Sequence, residues 1–314
     1  MSGELTSAGV PRGGGIGSGP GAGTDKAELA LGLVLGGGHL WALGASQRRL
    51  RDAFLEDPEQ AFSPDWRVPA YFSAVYLLVV LGRLWARGEK PAAGAAGAGA
   101  GSARSYHTAM VAYNVYQVAL NVWVVFGIVR ELSGRGQKRG AKVWGNEHAP
   151  SADSFNLAFF VWVHSMNKYS ELADTMFMVA REKWEQVSFL HVYHHVLLLW
   201  CWAAVCEMGP FGDSFFGALC NSVIHVLMYS YYLLAALKVP CPWKRYLTQA
   251  QMLQFCVCAA HSLFVLWRGN APASLPALQL FVMLNMLVLF GRFYTKKYSA
   301  RRGGTAGPLR EKAA

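Results

Sequence analysis

Apolar runs of the length that crosses a bilayer, roughly 20 residues, recur along the chain, and charge crowds into the gaps between them. The runs fall at 69–85, 108–129, 155–179, 187–206, 213–237, 247–267 and 277–294. They predict an all-α polytopic membrane protein with seven transmembrane helices. Pro240 and Pro242 break the chain after the fifth run, and Pro272 and Pro276 after the sixth. Trp66, just ahead of the first run, suits a membrane interface. Residues 1–26 are rich in Gly, Ser and Pro and read as disordered. The stretch 27–45 is weakly apolar, carries Gly36, Gly37 and Gly38 in its middle, and is placed outside the core. Ala/Gly low complexity at 91–101 predicts a flexible loop. The expected division is therefore a Gly-rich disordered N-terminus at 1–65, a seven-helix domain at 66–297 and a basic tail at 298–314.

Composition sharpens this picture. The chain is 53% hydrophobic and 15% charged, where a soluble domain carries about a quarter of charged residues. Its net charge of +10 raises nucleic-acid binding as the first alternative. The positive residues are dispersed among short loops and the tail, as cytoplasmic loops of membrane proteins carry them, so no nucleic acid is expected. Arg181 and Lys183, then Lys238, Lys244 and Arg245, lie on the same side as the tail. The tail is thus expected in the cytosol and the N-terminus outside it. Arg48, Arg49, Arg51 and the basic loop at 135–142 count the other way. The six cysteines have neither metal-finger spacing nor the look of a disulfide framework, and read as buried thiols.

Candidate chemistry sits in four consecutive runs. The fourth carries His191, His194 and His195, at i, i+3 and i+4 on one helix face. Ionisable groups inside a membrane are costly and mark function by default. The third run carries Lys168, Glu171, Asp174 and Thr175 near one face. The fifth carries Asn221, His225, Met228, Tyr229 and Tyr232, and the sixth Thr248, Gln251 and Gln254. The sets are late in run three, early in four, late in five and early in six. Antiparallel neighbours alternate in direction, so all four sets fall toward one membrane face, beside the basic loops. The pattern predicts one cavity opening to the cytosol with an apolar interior behind it.

Blander readings stand beside this. Lys168 and Glu171 fit a structural ion pair. Asn221 and Tyr229 fit hydrogen-bonded glue between helices, as do Thr248, Gln251 and Gln254. His39, His107, His148 and His164 lie outside the constellation. His261, deep in the sixth run, reads as a satisfied core histidine. Histidine boxes also build membrane di-iron oxidoreductases, but those need several boxes and here there is one. A zinc site stays open, although no carboxylate or Cys stands at a spacing that completes it. Without metal, imidazoles serve as nucleophile and as general acid or base. A seven-helix receptor would need a pocket and no nucleophile.

At these residues the chain closely resembles the ELO family, the fatty-acid elongases of the endoplasmic reticulum. The motifs read Lys168-Tyr-Ser-Glu171-Leu-Ala-Asp174-Thr175, His191-Val-Tyr-His194-His195, Asn221-Ser-Val-Ile-His225-Val-Leu-Met228-Tyr229-Ser-Tyr231-Tyr232 and Thr248-Gln-Ala-Gln251-Met-Leu-Gln254. The likeness covers residues 66–297. It implies a seven-helix, multi-pass protein of the endoplasmic reticulum membrane. It also implies a very-long-chain 3-oxoacyl-CoA synthase, which condenses malonyl-CoA with a long-chain acyl-CoA and gives a 3-ketoacyl-CoA, CO2 and CoA. No bound cofactor or metal is implied. The ketoreductase, dehydratase and enoyl reductase of the cycle are the implied protein partners. By likeness His194 is the nucleophile and His225 its partner, and His191 and His195 orient it, move protons or stabilise an enolate. Lys168, Glu171, Asp174, Asn221, Tyr229, Tyr232 and Gln251 line the substrate site. Cys201, two turns beyond His194 on the same face, is the rival nucleophile. The approach Gln186-Val-Ser-Phe189-Leu190-His191 resembles the polyunsaturated branch of the family. The end Arg310-Glu-Lys312-Ala-Ala is similar to a dibasic retrieval signal.

Overall fold

The computed structural model describes residues 22–88, 100–133 and 141–302, and among them there is no strand. The helices are α1 (Ala22–Glu56), α2 (Arg67–Gly88), α3 (Ala100–Leu132), α4 (Phe155–Ala180), α5 (Phe189–Glu207), α6 (Phe215–Ala236), α7 (Leu247–Arg268) and α8 (Ser274–Arg302). Short 3-10 turns at Gly212–Ser214 and Pro242–Tyr246 lead into α6 and α7. Helices satisfy every backbone group within the segment, which lipid demands.

Six segments among the described residues are long and apolar enough to cross a membrane: Arg67–Ala86, Tyr106–Leu132, Phe189–Glu207, Gly212–Ala236, Pro242–Arg268 and Ser274–Thr295. The third run predicted from sequence, α4, is not among them. It has 26 residues, and roughly 39 Å of rise at 1.5 Å per residue would reach across a bilayer. Composition therefore excludes it, because Lys168, Glu171 and Asp174 all lie in its second half.

The packing explains how such a helix is housed. α4 packs on α1, α2, α3, α5 and α6. Around it α3 lies on α6, α6 on α7, α7 on α8, α8 on α5 and α5 on α2. The helix that carries Lys168, Glu171 and Asp174 is enclosed, and apolar side chains of its neighbours face outward. Leu78, Phe126, Leu253, Leu263 and Val288 are exposed on that outer surface. An apolar exterior of this extent suits lipid and not water.

The N-terminal region differs from the expectation. Residues 1–21 lie outside the described residues, and so do 89–99 of the low-complexity loop, 134–140 of the basic loop and 303–314 of the tail. Residues 22–56, however, form α1, which packs on α3 and α4. Leu43 and Phe54, with Phe62 just beyond the helix, are buried in the largest core cluster. The Phe54 ring lies 5.3 Å from Phe155 and 6.0 Å from Phe211. The boundary drawn at residue 66 thus cuts through this core. One of the glycines that made 27–45 look weakly apolar permits close approach: a Cβ on Gly36 would stand 3.0 Å from the Tyr116 Cβ. Tyr116 also shares a 2.6 Å hydrogen bond with His39 Nδ1, so His39 is a packing residue.

Gly127 makes a tighter demand where α3 meets α4. A Cβ there would overlap the Phe160 ring. Phe160 has little room to yield, being held edge-on by Trp123 at 5.8 Å and by Phe159 at 5.4 Å. Gly127→Ala is expected to destabilise the fold by about 1–3 kcal/mol, the usual cost of overpacking. Thermal unfolding of the purified protein in detergent measures this. An unchanged midpoint would show that the contact relaxes freely.

Candidate active site

The histidines stand at the start of α5. Ser188 caps that helix, its Oγ accepting from the His191 backbone N–H at 3.2 Å, which removes one orphan donor of the first turn. The box therefore occupies the first two turns. His191 and His195 lie edge to face with ring centroids 4.5 Å apart, and His194 and His195 are 5.3 Å apart.

Facing them, α4 and α6 hold a buried ionic cluster. Lys168 Nζ donates to Glu171 Oε1 at 2.7 Å and to Asn221 Oδ1 at 2.9 Å. Asn167 Nδ2 donates to the same Glu171 oxygen at 3.1 Å. Both charged side chains are 2% exposed, so neither could stay charged there without the other. His225 Nδ1 lies 3.1 Å from Glu171 Oε1, within ion-pair distance. The imidazole of His225 thus stands beside a buried carboxylate.

Two hydrogen-bond chains extend this centre. Thr175 Oγ1 links His191 Nε2 and Tyr76 Oη, at 2.8 Å to each. The second ties Tyr229, which donates to Asp174 Oδ2 at 2.7 Å, to Tyr113, whose Oη lies 3.5 Å away. Tyr232 packs edge-on to Tyr229 with ring centroids 5.9 Å apart. Tyr76, Tyr113 and Thr175 therefore fix the orientation of groups proposed from sequence.

A narrow cavity of about 90 Å³ leads away from this cluster. His194, Asn221 and Gln254 line one end, and Asp213, His261 and Val265 line the other. Between them the wall is mostly apolar, with Leu198, Trp202, Val282 and Met286. Cys201 and Cys258 also contribute. Asn221 belongs both to the ionic cluster and to the cavity wall. A molecule in the cavity would thus touch the face of the bundle where the histidines and the lysine converge.

The structure gathers Lys168, Glu171, Asn221 and His225 into one cluster, and Asp174, Tyr229 and Tyr232 into a neighbouring one. Gln251 stands apart from both. Its Nε2 is 3.9 Å from the Met228 sulfur, and Gln254, one turn on, lines the cavity instead. Sequence reading missed the support from α3. Gln117 Nε2 donates to Ser170 Oγ at 3.0 Å and to Tyr113 Oη at 3.1 Å, and Ser170 Oγ donates to Asn167 Oδ1 at 2.5 Å. The signal was present as Tyr113, Gln117 and Asn121 at i, i+4 and i+8 within an apolar run. His261 also departs from expectation. It is buried with Nε2 3.5 Å from Asp213 Oδ2, while its Nδ1 has no hydrogen-bond partner among the described residues, so it is only half satisfied. Among the described residues, no three His, Cys, Asp or Glu side chains are grouped as metal ligands would be.

Fold and site together define a multi-pass helical membrane protein with a buried ionic and imidazole centre at one end of an elongated, mostly apolar cavity. Residues 61–306 match the ELO family, described as the GNS1/SUR4 family, and the chain belongs to it. The fatty acid elongase 5 of Leishmania major is 38% identical over 189 residues, 60% of this chain and 72% of that protein. The very long chain fatty acid elongase 5 of Rattus norvegicus is 31% identical over 265 residues, 82% of this chain and 81% of that protein. That of Tachysurus fulvidraco is 31% identical over 240 residues, 75% and 76% of the two chains.

The ionic cluster makes a direct prediction about stability. Lys168→Met leaves the Glu171 carboxylate buried without its cation, and a cost of about 3–5 kcal/mol is expected. Lys168→Met combined with Glu171→Leu removes both charges and should recover much of that loss, although activity stays lost. Thermal unfolding of the three proteins in detergent separates the cases. A single variant as stable as the wild type would mean that the pair does not hold α4 in the bundle.

Proposed function

We propose that this chain condenses a long-chain acyl-CoA with malonyl-CoA, giving a 3-ketoacyl-CoA two carbons longer, CO2 and CoA. The observation that carries the reading is the cavity: His194 and Asn221 line one end, and an apolar wall suited to an acyl chain runs away from them. Family membership supports the reaction class.

The residues divide the work as follows. A neutral His194 imidazole attacks the thioester carbonyl. The carbon–sulfur bond breaks, CoA leaves as the thiol, and the acyl group stays on the ring nitrogen. Malonyl-CoA then loses CO2, and the electron pair of the broken carbon–carbon bond becomes an enolate. That carbon attacks the acyl carbonyl, the carbon–nitrogen bond breaks, and His194 is restored. Lys168 and Asn221 present a positive and dipolar surface beside the reacting groups, which favours the enolate charge. His225, 3.1 Å from Glu171, relays the proton that His194 loses on acylation to the departing sulfur, and a proton from the medium restores His194. Thr175 orients the ring of His191 through its contact with Nε2, and His195 supports the ring of His194 from the next position. Asp174, Tyr229, Tyr232 and Gln251 bound the head-group region.

In this reading α4 is a seventh span, carried through the membrane by the helices that enclose it. The active-site end opens to the cytosol, where the basic loops at Arg181, Lys183, Lys238 and Lys244 lie. The protein resides in the endoplasmic reticulum membrane and prefers polyunsaturated acceptors. The ketoreductase, dehydratase and enoyl reductase of the elongation cycle use its product.

Purified protein in lipid nanodiscs, given an acyl-CoA and labelled malonyl-CoA, is expected to form the 3-ketoacyl-CoA. His194→Ala should lower the rate at least a hundredfold, and His191→Ala or Cys201→Ala less. Wild-type protein that extends no acyl-CoA would overturn the reading, and full activity in His194→Ala would exclude the acyl-imidazole. Incubation with EDTA should leave the rate unchanged, because the imidazoles act as base and nucleophile. Loss of rate, restored by stoichiometric zinc or iron, would reassign them as ligands.

A further inference from the structure

We propose that the deep end of the cavity recognises a hydrogen-bonding group at the far end of the acyl chain, a terminal hydroxyl being the simplest. This rests on the condensation reading, since it assigns the acceptor chain to the cavity.

The deep end is polar where a pocket for a methyl-ended chain would be apolar. Asp213 and His261 both line it, and both are buried. Asp213 is built in: Oδ2 accepts from the Gly145 backbone N–H at 2.6 Å, and Oδ1 from the Asn146 backbone N–H at 2.9 Å and from Asn146 Nδ2 at 2.7 Å. The loop that supplies these donors is tied down in turn, because the His148 N–H donates to the Asn270 carbonyl at 3.0 Å. His261 stacks on Phe216 with ring centroids 3.9 Å apart and planes 7° from parallel, which fixes its orientation. Its Nε2 makes only a long contact with Asp213 Oδ2, at 3.5 Å, and its buried Nδ1 has no hydrogen-bond partner among the described residues.

A buried polar group without a partner is destabilising, so a ligand that supplies the partner is favoured over one that does not. The α5 wall runs from His194 to Val205, which at 1.5 Å per residue is roughly 16 Å of cavity. A chain acylated at His194 and long enough to span that distance brings its last atoms to His261. A methyl there shuts the ring Nδ1 away from any partner. A hydroxyl both donates and accepts, and so suits the gap between Asp213 and His261. Sites built to bind a substrate hydroxyl discriminate strongly against analogues lacking it.

The test supplies the nanodisc-embedded protein with labelled malonyl-CoA and paired polyunsaturated acyl-CoAs of increasing length, each beside its ω-hydroxy counterpart. Products are read by mass spectrometry, and binding of each acyl-CoA by its thermal stabilisation of the protein. At lengths that reach the floor, the hydroxy chain should be preferred by about tenfold in kcat/KM, with no preference for shorter chains. His261→Leu should invert the preference at those lengths, and His261→Gln, which keeps a donor and an acceptor, should retain it. Preference for methyl-ended chains at every length, with the ratio unmoved in His261→Leu, would overturn the proposal and leave a water as the occupant of the floor. Extension of neither chain, with stronger stabilisation by the hydroxy chain, would sink the condensation reading and support the floor site.

Discussion

A lysine and a glutamate cannot enter an apolar bundle one at a time, and the buried contact between Lys168 and Glu171 governs how this one is arranged. Each charge is tolerable only because the other is 2.7 Å away and amides fill the remaining positions. The requirement places α4 inside, with α1, α2, α3, α5 and α6 packed against it. It draws Asn221 from α6 as a ligand to the lysine, and Gln117 from α3 through Ser170 as a support for Asn167. The helix that carries the buried ion pair is thereby the one that organises the rest.

The same cluster sets the polarity of the cavity. Its inner face meets His194 and Asn221, and from there the wall turns apolar along α5, α7 and α8. A thioester head group and a hydrocarbon tail need opposite surroundings, and the cavity offers them in that order. The polar floor at Asp213 and His261 breaks the sequence at the far end. That break costs stability unless something occupies it, which makes it a feature of the ligand as much as of the fold.

Much of this was legible in the chain. Length and charge placement gave the apolar spans of α2 and α3, and of α5 through α8, to within a few residues, because lipid selects strongly for apolar runs. The clustering of Lys168, Glu171, Asn221 and His225 followed from helical period and alternating direction. What escaped had physical reasons. α1 packs through Gly36 as well as through Leu43 and Phe54, and its glycines and charged residues lower its hydropathy below what its burial would suggest. Gln117 and Asn121 sit in a run whose overall hydropathy hides them. His261 was indistinguishable from a packed histidine because a missing partner is a property of three dimensions. Gln251 shared a motif with Gln254, yet one helical turn separates a contact with Met228 from a place on the cavity wall.

Whether His194 carries the acyl group is decided most directly by giving the purified enzyme acyl-CoA alone and recording its intact mass together with the CoA set free. A ping-pong reaction through an acyl-imidazole predicts a mass increase of one acyl chain, located at His194, and an equivalent amount of CoA before any malonyl-CoA is added. An unmodified mass, with CoA appearing only once malonyl-CoA is present, would contradict it and make His194 a base for direct attack on the bound thioester.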